Sequence, residues 1–255
     1  MPLTTPAPRR RPATSVAGVL SALLTEPGRP RVTWYGPGGE RVELSGAVLD
    51  NWVSKTTNLL VEELDAGPGT LVRLDLPPHW RAVVWALAAW RAGATVCTAA
   101  TPDADVVVSD DPAALGELDV PRGAGVVAVA LPGLARRFDR DLPAGALDAA
   151  QAVMTYGDVI GWAPETEPDR AALDVPAVAH AALLAAADEA AAVPPGSRTL
   201  LTVGDDRSAT AGTLLTVLGV LARDGSTVLL RTGPGTDAAA RTERVVADER
   251  VTARA

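Results

Sequence analysis

The sequence specifies an α/β protein built as two βαβ-type lobes with largely parallel sheets. Short, apolar, strand-like runs alternate along the chain with helical segments of several turns, the pattern of strands joined by crossover helices. Gly and Pro punctuate nearly every junction between those runs. Hydrophobic residues make up 47% of the 255, enough to bury a sizeable core, whereas charged residues at 21% argue against wholesale disorder.

The elements follow in order. Residues 1–13 read as a disordered tail, and Thr14 or Ser15 then caps a helix that runs to Leu24 before Pro27-Gly28. Arg31–Tyr35 and Arg41–Leu44 alternate on either side of Gly36-Pro37-Gly38-Gly39, which predicts a hairpin. Ser45 caps a long helix, Gly46–Leu64, with Leu49, Trp52, Val53, Leu59, Leu60 and Leu64 on a helical period. Gly67-Pro68-Gly69 breaks it ahead of a strand over Thr70–Asp75. Pro77-Pro78 opens a second helix, His79–Arg91, which Gly93 stops. Ala94–Cys97, Ala104–Val108 and Gly125–Ala130 read as short buried strands.

From Pro132 to Pro176 the pattern weakens, with one short helix expected over Ala146–Met154. A helix over Ala179–Ala192, a strand at Thr199–Val203, a helix at Ser208–Ala222 and a strand at Ser226–Arg231 follow. A helix over Asp237–Asp248 and a strand over Arg250–Ala253 close the chain. The expected organisation is a tail (1–13), an N-terminal α/β lobe (14–135), a connector (136–175) and a second α/β lobe (175–255).

Charge and cysteine usage narrow the function. Acidic residues number 31 against 23 basic, a net charge of −8, and the one basic cluster is Arg9-Arg10-Arg11 in the tail. A nucleic-acid partner, which needs a basic face, is not expected. No apolar run reaches the roughly 20 residues of a membrane span, so no membrane partner is expected. Arg9-Arg10-Arg11 followed by Val16–Leu24 imitates an export signal, but Gly18 and Ser21 break the run and no small-x-small cleavage site follows. Cys97 is the sole cysteine, which excludes an internal disulfide and points to a reducing, cytoplasmic setting.

Few motifs carry chemistry. Gly233-x-Gly235-x-x-Ala238 has the spelling of a phosphate turn, but Pro234 stiffens it and only one strand follows, so it reads as a plain strand-to-helix turn. Asp103, Asp105, Asp110, Asp111 and the pair Asp205-Asp206 fall at strand ends, where Asp is a turn former rather than a metal ligand. His79, His180 and Cys97 lack the fourth ligand and the spacing of a zinc site. No Gly-x-Ser-x-Gly elbow occurs. Trp80, Trp85 and Trp90 recur every fifth residue on one helix, which suits packing better than a ligand platform. No catalytic residue, metal ligand or cofactor is assigned, and cofactor-binding residues stay unassigned.

The order of elements over residues 31–96 resembles the opening of the adenylate-forming, acyl-CoA synthetase-like enzymes. Thr33, Glu43, Leu44, Leu49, Pro68, Gly69, Val72, Ala92, Gly93 and Ala94 carry the match, with Thr70 where the family pattern has Asp. Residues 198–233 resemble the family's Leu-x-x-Leu-x-x-Gly helix and Gly-x-x-Val-Val-Leu strand, and residues 241–255 resemble the helix and Val-Thr ending that follow. The resemblance implies the first half of the family's large domain.

The departures bear on function. The family's phosphate loop, Thr-Ser-Gly-Thr-Thr-Gly-x-Pro-Lys-Gly, should fall within Ala171–Ala187, with His180 at the position just after it. No Gly/Ser/Thr-rich loop stands there, and Lys55, the one lysine, lies in mid-helix. Val203-Gly204-Asp205 stand where the family has an aromatic and a His before a Gly. Its later motifs and lysine-bearing small domain would fall beyond residue 255. The expectation is a non-catalytic cytoplasmic protein with a binding, scaffold or regulatory role, self-associating or held by a protein partner. A binder of a nucleotide, CoA or acyl ligand in the cleft between lobes, a half-enzyme completed by a partner chain, and an unrelated enzyme remain as alternatives.

Overall fold

The computed structural model describes residues 13–101, 103–115, 120–233 and 238–255. The expected tail, its arginine cluster and the centre of the Gly233-x-Gly235 turn lie outside these residues.

Helix α1 (Val16–Leu23) begins at Ser15, whose Oγ accepts the Gly18 N–H at 3.1 Å. Strands β1 (Pro30–Tyr35) and β2 (Arg41–Ser45) form the expected antiparallel hairpin. Helix α2 (Gly46–Leu64) takes its cap from Ser45 Oγ, 3.3 Å from the Val48 N–H, and ends on left-handed Asp65. Strand β3 (Leu71–Asp75), helix α3 (Trp80–Arg91) and strands β4 (Thr95–Cys97), β5 (Val106–Ser109) and β6 (Gly125–Ala128) follow. The next stretch holds β7 (Leu147–Asp148), α4 (Ala149–Ala152), β8 (Ala171–Leu173) and β9 (Val178–Ala179). The chain continues through α5 (Leu183–Ala191), β10 (Arg198–Val203), α6 (Thr210–Ala222), β11 (Ser226–Arg231), α7 (Ala238–Asp248) and β12 (Ala253–Arg254).

Among the described residues the strands form two sheets, ordered β7-β6-β5-β3-β4-β8-β9 and β12-β10-β11-β1-β2. Every pairing is parallel except β1–β2 and β8–β9. This is the largely parallel α/β architecture that the alternation of elements specifies.

Sheet membership does not follow the order of the chain. The hairpin near the N-terminus joins the sheet of the last sixty residues, with Val32 opposite Thr227 and Tyr35 opposite Leu230 in parallel register. The stretch read as connector supplies β7 to one edge of the other sheet and β8 to the side of β4. The physical reason is that a two-stranded hairpin is marginal alone. Parallel pairing with β11 buries Val32, Thr33 and Trp34, and places Arg31, fully buried, 2.8 Å from Asp224.

Helix α3 sits at the centre of the packing, with every residue from Trp80 to Trp90 buried. That suits a helix apolar nearly all round its surface. Trp80, Trp85 and Trp90 are all core residues, and Trp90 donates its indole N–H to the Ala172 carbonyl at 2.7 Å. One continuous core draws on α1, α2, α3, α5, α6 and both sheets. Helices α5 and α6 meet at Gly219, where a Cβ would lie 1.9 Å from the Ala187 carbonyl oxygen.

Smaller differences have local causes. The closing strand starts at Ala253, not Arg250, because Arg250 takes a left-handed φ of 51° and turns the chain out of α7. Within the expected helix 146–154, Leu147–Asp148 is strand, and Asp148 caps α4 by accepting the Ala150 N–H at 2.9 Å.

Candidate functional site

Open parallel sheets present ligand sites beyond the carboxyl ends of their strands, where chains diverge to opposite faces. Here those ends of the two sheets come together. Arg207, just after β10, pairs with Asp110 at 2.8 Å and lies 3.7 Å from Asp75, at the end of β3. Ser109, ending β5, donates its hydroxyl to Asp75 at 2.7 Å. Arg140 pairs with Asp111 at 3.0 Å. The carboxylates on this side of the opening are held by arginines and hydroxyls of the protein itself.

Beside that network lies a cavity of about 280 Å³ between the sheets. Trp34, Pro37, Glu40 and Arg231 of the five-stranded sheet and its hairpin line one side; His79, Leu131 and Pro132 line the other. Pro77-Pro78 deliver the chain from β3 to His79, which precedes α3 as its N-cap. The imidazole Nδ1 accepts the Arg81 N–H at 3.1 Å, and the ring stands edge-on to Trp34 with centroids 4.3 Å apart. Burial, reinforced by the charges of Arg81 and Arg231, pushes its pKa down to about 3. The ring is therefore neutral at pH 7, with its proton on Nε2 because Nδ1 is an acceptor. Among the described residues Nε2 has no hydrogen-bond partner.

The neighbouring groups are placed as firmly. Glu40 accepts the Trp34 indole N–H at 2.9 Å and the Gly133 N–H at 2.6 Å. Arg231 pairs with Asp205. Arg81 is buried with its guanidinium 4.3 Å from the Trp80 ring and 5.6 Å from Trp52, and burial lowers its pKa to about 10. No carboxylate of the described residues lies within ion-pair distance of it.

The expected phosphate-loop position is a different structure. β8 and β9 form an antiparallel hairpin joined by Asp174-Val175-Pro176-Ala177. Asp174 accepts the N–H groups of Val175 at 2.7 Å and Thr98 at 3.4 Å. His180 follows directly, with Nε2 3.2 Å from the Gly93 carbonyl; burial lowers its pKa. It borders a cavity of about 230 Å³ walled mainly by α1, Trp90 and Leu184.

The remaining sequence candidates are dispersed. Asp105 accepts the Leu71 N–H at 2.8 Å, and Asp206 accepts that of Ser208 at 2.9 Å, so both act on backbone. Cys97 is buried, and burial raises its thiol to about 12. Lys55 reaches the Tyr156 carbonyl and Asp158, each at 2.6 Å, and straps the stretch after α4 to α2. Among the described residues no three His, Cys, Asp or Glu side chains converge as a metal site. Sequence reasoning singled out neither Glu40 nor Arg231 and considered His79 only for zinc; the Pro77-Pro78-His79 step after a strand end was the available signal.

No protein-family model matches the chain. A Mycobacterium tuberculosis (strain ATCC 25618 / H37Rv) protein described as a TIGR03089 family protein is 37% identical over 161 residues, which span 62% of this chain and 65% of that protein. Among solved structures, an acyl-CoA synthetase of Brucella canis superposes with a TM-score of 0.73 at 20% identity. It covers 96% of this chain and 48% of its own. The amide bond synthetase McbA of Marinactinospora thermotolerans gives 0.63 at 19% identity, covering 94% of this chain and 48% of its own. The chain thus spans about half the length of the solved structures it matches, and its fold is that of the N-terminal domain of the adenylate-forming enzymes.

Proposed function

We propose that this chain carries no adenylating chemistry of its own and serves as a binding or scaffold protein on the adenylate-forming fold. The observation that carries the reading is the β8–β9 turn. A phosphate cradle needs successive free backbone N–H groups, glycines that let them converge, and a lysine. The turn has four residues with no Gly, Ser, Thr or Lys, and its Asp174 carboxylate accepts the N–H groups of Val175 and Thr98. A fixed negative charge there opposes a triphosphate. Loss of a single oxyanion donor costs about 10²–10³ in rate, and here the cradle and its lysine are absent together. ATP–pyrophosphate exchange with short, long and aromatic acids tests the reading; exchange above a boiled control that disappears on mutating the cleft overturns it.

The cavity at the strand ends favours the binding form of this reading over a purely structural one. A cytoplasmic location and self-association belong to the same proposal. Exposed Leu134, Val159 and Trp162 support self-association, since apolar side chains left in water favour a partner surface. Light scattering giving a clean monomer of 26.2 kDa at high micromolar concentration removes that part.

A further inference from the structure

We propose that the small cavity between α2, the first turns of α3 and the turn after α4 is a site for a monatomic anion of the halide class, held by the Trp80 indole N–H and the Arg81 guanidinium. It shares no lining residue with the cavity between the sheets and stands independently of how that cavity is used.

Two buried donors carry the argument. Trp80 is 2% exposed and Arg81 7%. Trp80 Nε1 and Arg81 Nε are buried and have no hydrogen-bond partner among the described residues. An indole N–H and a guanidinium can only donate, and a buried donor left unpaired carries the full desolvation cost of its group. Both residues line one cavity, together with Trp52 and Thr56 of α2, Trp85 of α3 and Val153 after α4. An acceptor in that cavity is what both lack.

Charge and size set the class of ligand. Arg81 is the one charged side chain in the lining. Its guanidinium donates to the Pro132 carbonyl at 3.3 Å and stacks 4.3 Å from the Trp80 ring. Glu40 attracts it from beyond ion-pair distance, and both Glu40 oxygens already accept N–H groups, from Trp34 and Gly133. A buried cation without a close counter-charge is costly, which favours an anion, disfavours a metal ion, and is not relieved by water. The cavity holds about 10 Å³, room for one water-sized body, so polyatomic anions such as sulfate or gluconate do not fit.

The test is ³⁵Cl NMR of the protein during a sodium chloride titration, with sodium gluconate holding the ionic strength at about 0.15 M. Bound chloride broadens the line, and the excess width should saturate within the titration and collapse when bromide is added. Trp80→Phe keeps an aromatic ring and removes the donor; it should weaken chloride binding at least about tenfold, the worth of one hydrogen bond to a charged group. Arg81→Met removes the charge and should abolish saturable broadening. Trp80→Phe alters no charge and decides the matter if Arg81→Met does not fold. Excess width that stays linear in chloride to about 0.15 M, that bromide does not displace, or that is unchanged in either folded variant overturns the proposal. The first of these results would leave a single buried water as the acceptor.

Discussion

Arg31, on the first strand, is fully buried and lies 2.8 Å from Asp224, 193 residues later. The same guanidinium nitrogen also donates to the carbonyls of Asp224 and Gly225 at 3.1 and 3.2 Å. This contact locks the N-terminal hairpin to the turn between α6 and β11. Asp224 holds a left-handed φ of 58°, which Asn also tolerates, so Asp224→Asn removes the charge and keeps the turn. Because Asp224 is more than half exposed, the expected loss is about 1–2 kcal/mol, read as a lower midpoint in urea. No change in midpoint would show that the two carbonyls and Glu26, 3.8 Å from the guanidinium, hold Arg31 without the Asp224 charge.

The hairpin itself was legible in the sequence, but its place in the molecule was not. Alternation in Arg31–Tyr35 and four turn residues identify two strands, yet nothing local says that β1 pairs with residues 227–230. Helix α2 was readable to the residue, since Ser45 caps one end and Gly67-Pro68-Gly69 follows the other. Strands β8 and β9, three and two residues long, are too short to show a period. The cleft was illegible for a related reason: the hairpin residues Trp34 and Glu40 are far in sequence from His79 and Arg231, and the importance of His79 comes from burial and a fixed tautomer.

Stability should fall with acid through the window set by His79. Its pKa is near 6.5 when unfolded and about 3 when folded, so between those values the unfolded chain binds the extra proton. Unfolding free energy therefore rises with pH across this window and flattens above about 6.5, with a slope approaching 1.4 kcal/mol per pH unit. His180, shifted in the same direction by burial, adds to it. Urea midpoints from pH 4.5 to 7.5 should show a distinctly shallower slope in His79→Gln; parallel profiles would mean His79 is hydrated in the native state.

Glu249 holds the far end of the chain to the hairpin. It accepts the Tyr35 hydroxyl at 2.6 Å and Arg41 Nε at 2.9 Å, and it pairs with Arg198. Burial pushes its pKa up, but the hydrogen bonds from Tyr35, Arg198 and Arg41 outweigh that and hold it below the usual carboxylate range. Its contribution is present above the unfolded carboxylate pKa and is lost as pH falls through the lower folded value. Glu249→Gln should cost about 2 kcal/mol and raise amide exchange first in β12 and the end of α7. Exchange that rises uniformly across the protein, or not at all, would contradict this local role.

Gly219 sets the approach of α5 to α6. A Cβ there would lie 1.9 Å from the Ala187 carbonyl and 2.8 Å from Ala191 Cβ, so the helices must separate. Gly219→Ala should cost about 3 kcal/mol despite the better helix propensity of Ala. Thermal unfolding monitored by circular dichroism reads this directly, and an unchanged or raised midpoint would refute the close approach.

The pairing of β1 with β11 also fixes a timetable for synthesis. The hairpin leaves the ribosome early, but residues 226–231, which complete its parallel partner, are made about 180 residues later. At about 5–20 residues per second the wait is on the order of 10–40 s. During that interval the edge of β1 that pairs with β11 is open. The seven-stranded sheet, whose strands all lie before residue 180, can assemble first. The nascent chain is thus exposed to aggregation and to chaperone capture at its N-terminal hairpin, and a stalled or shortened translation product would present that hairpin permanently.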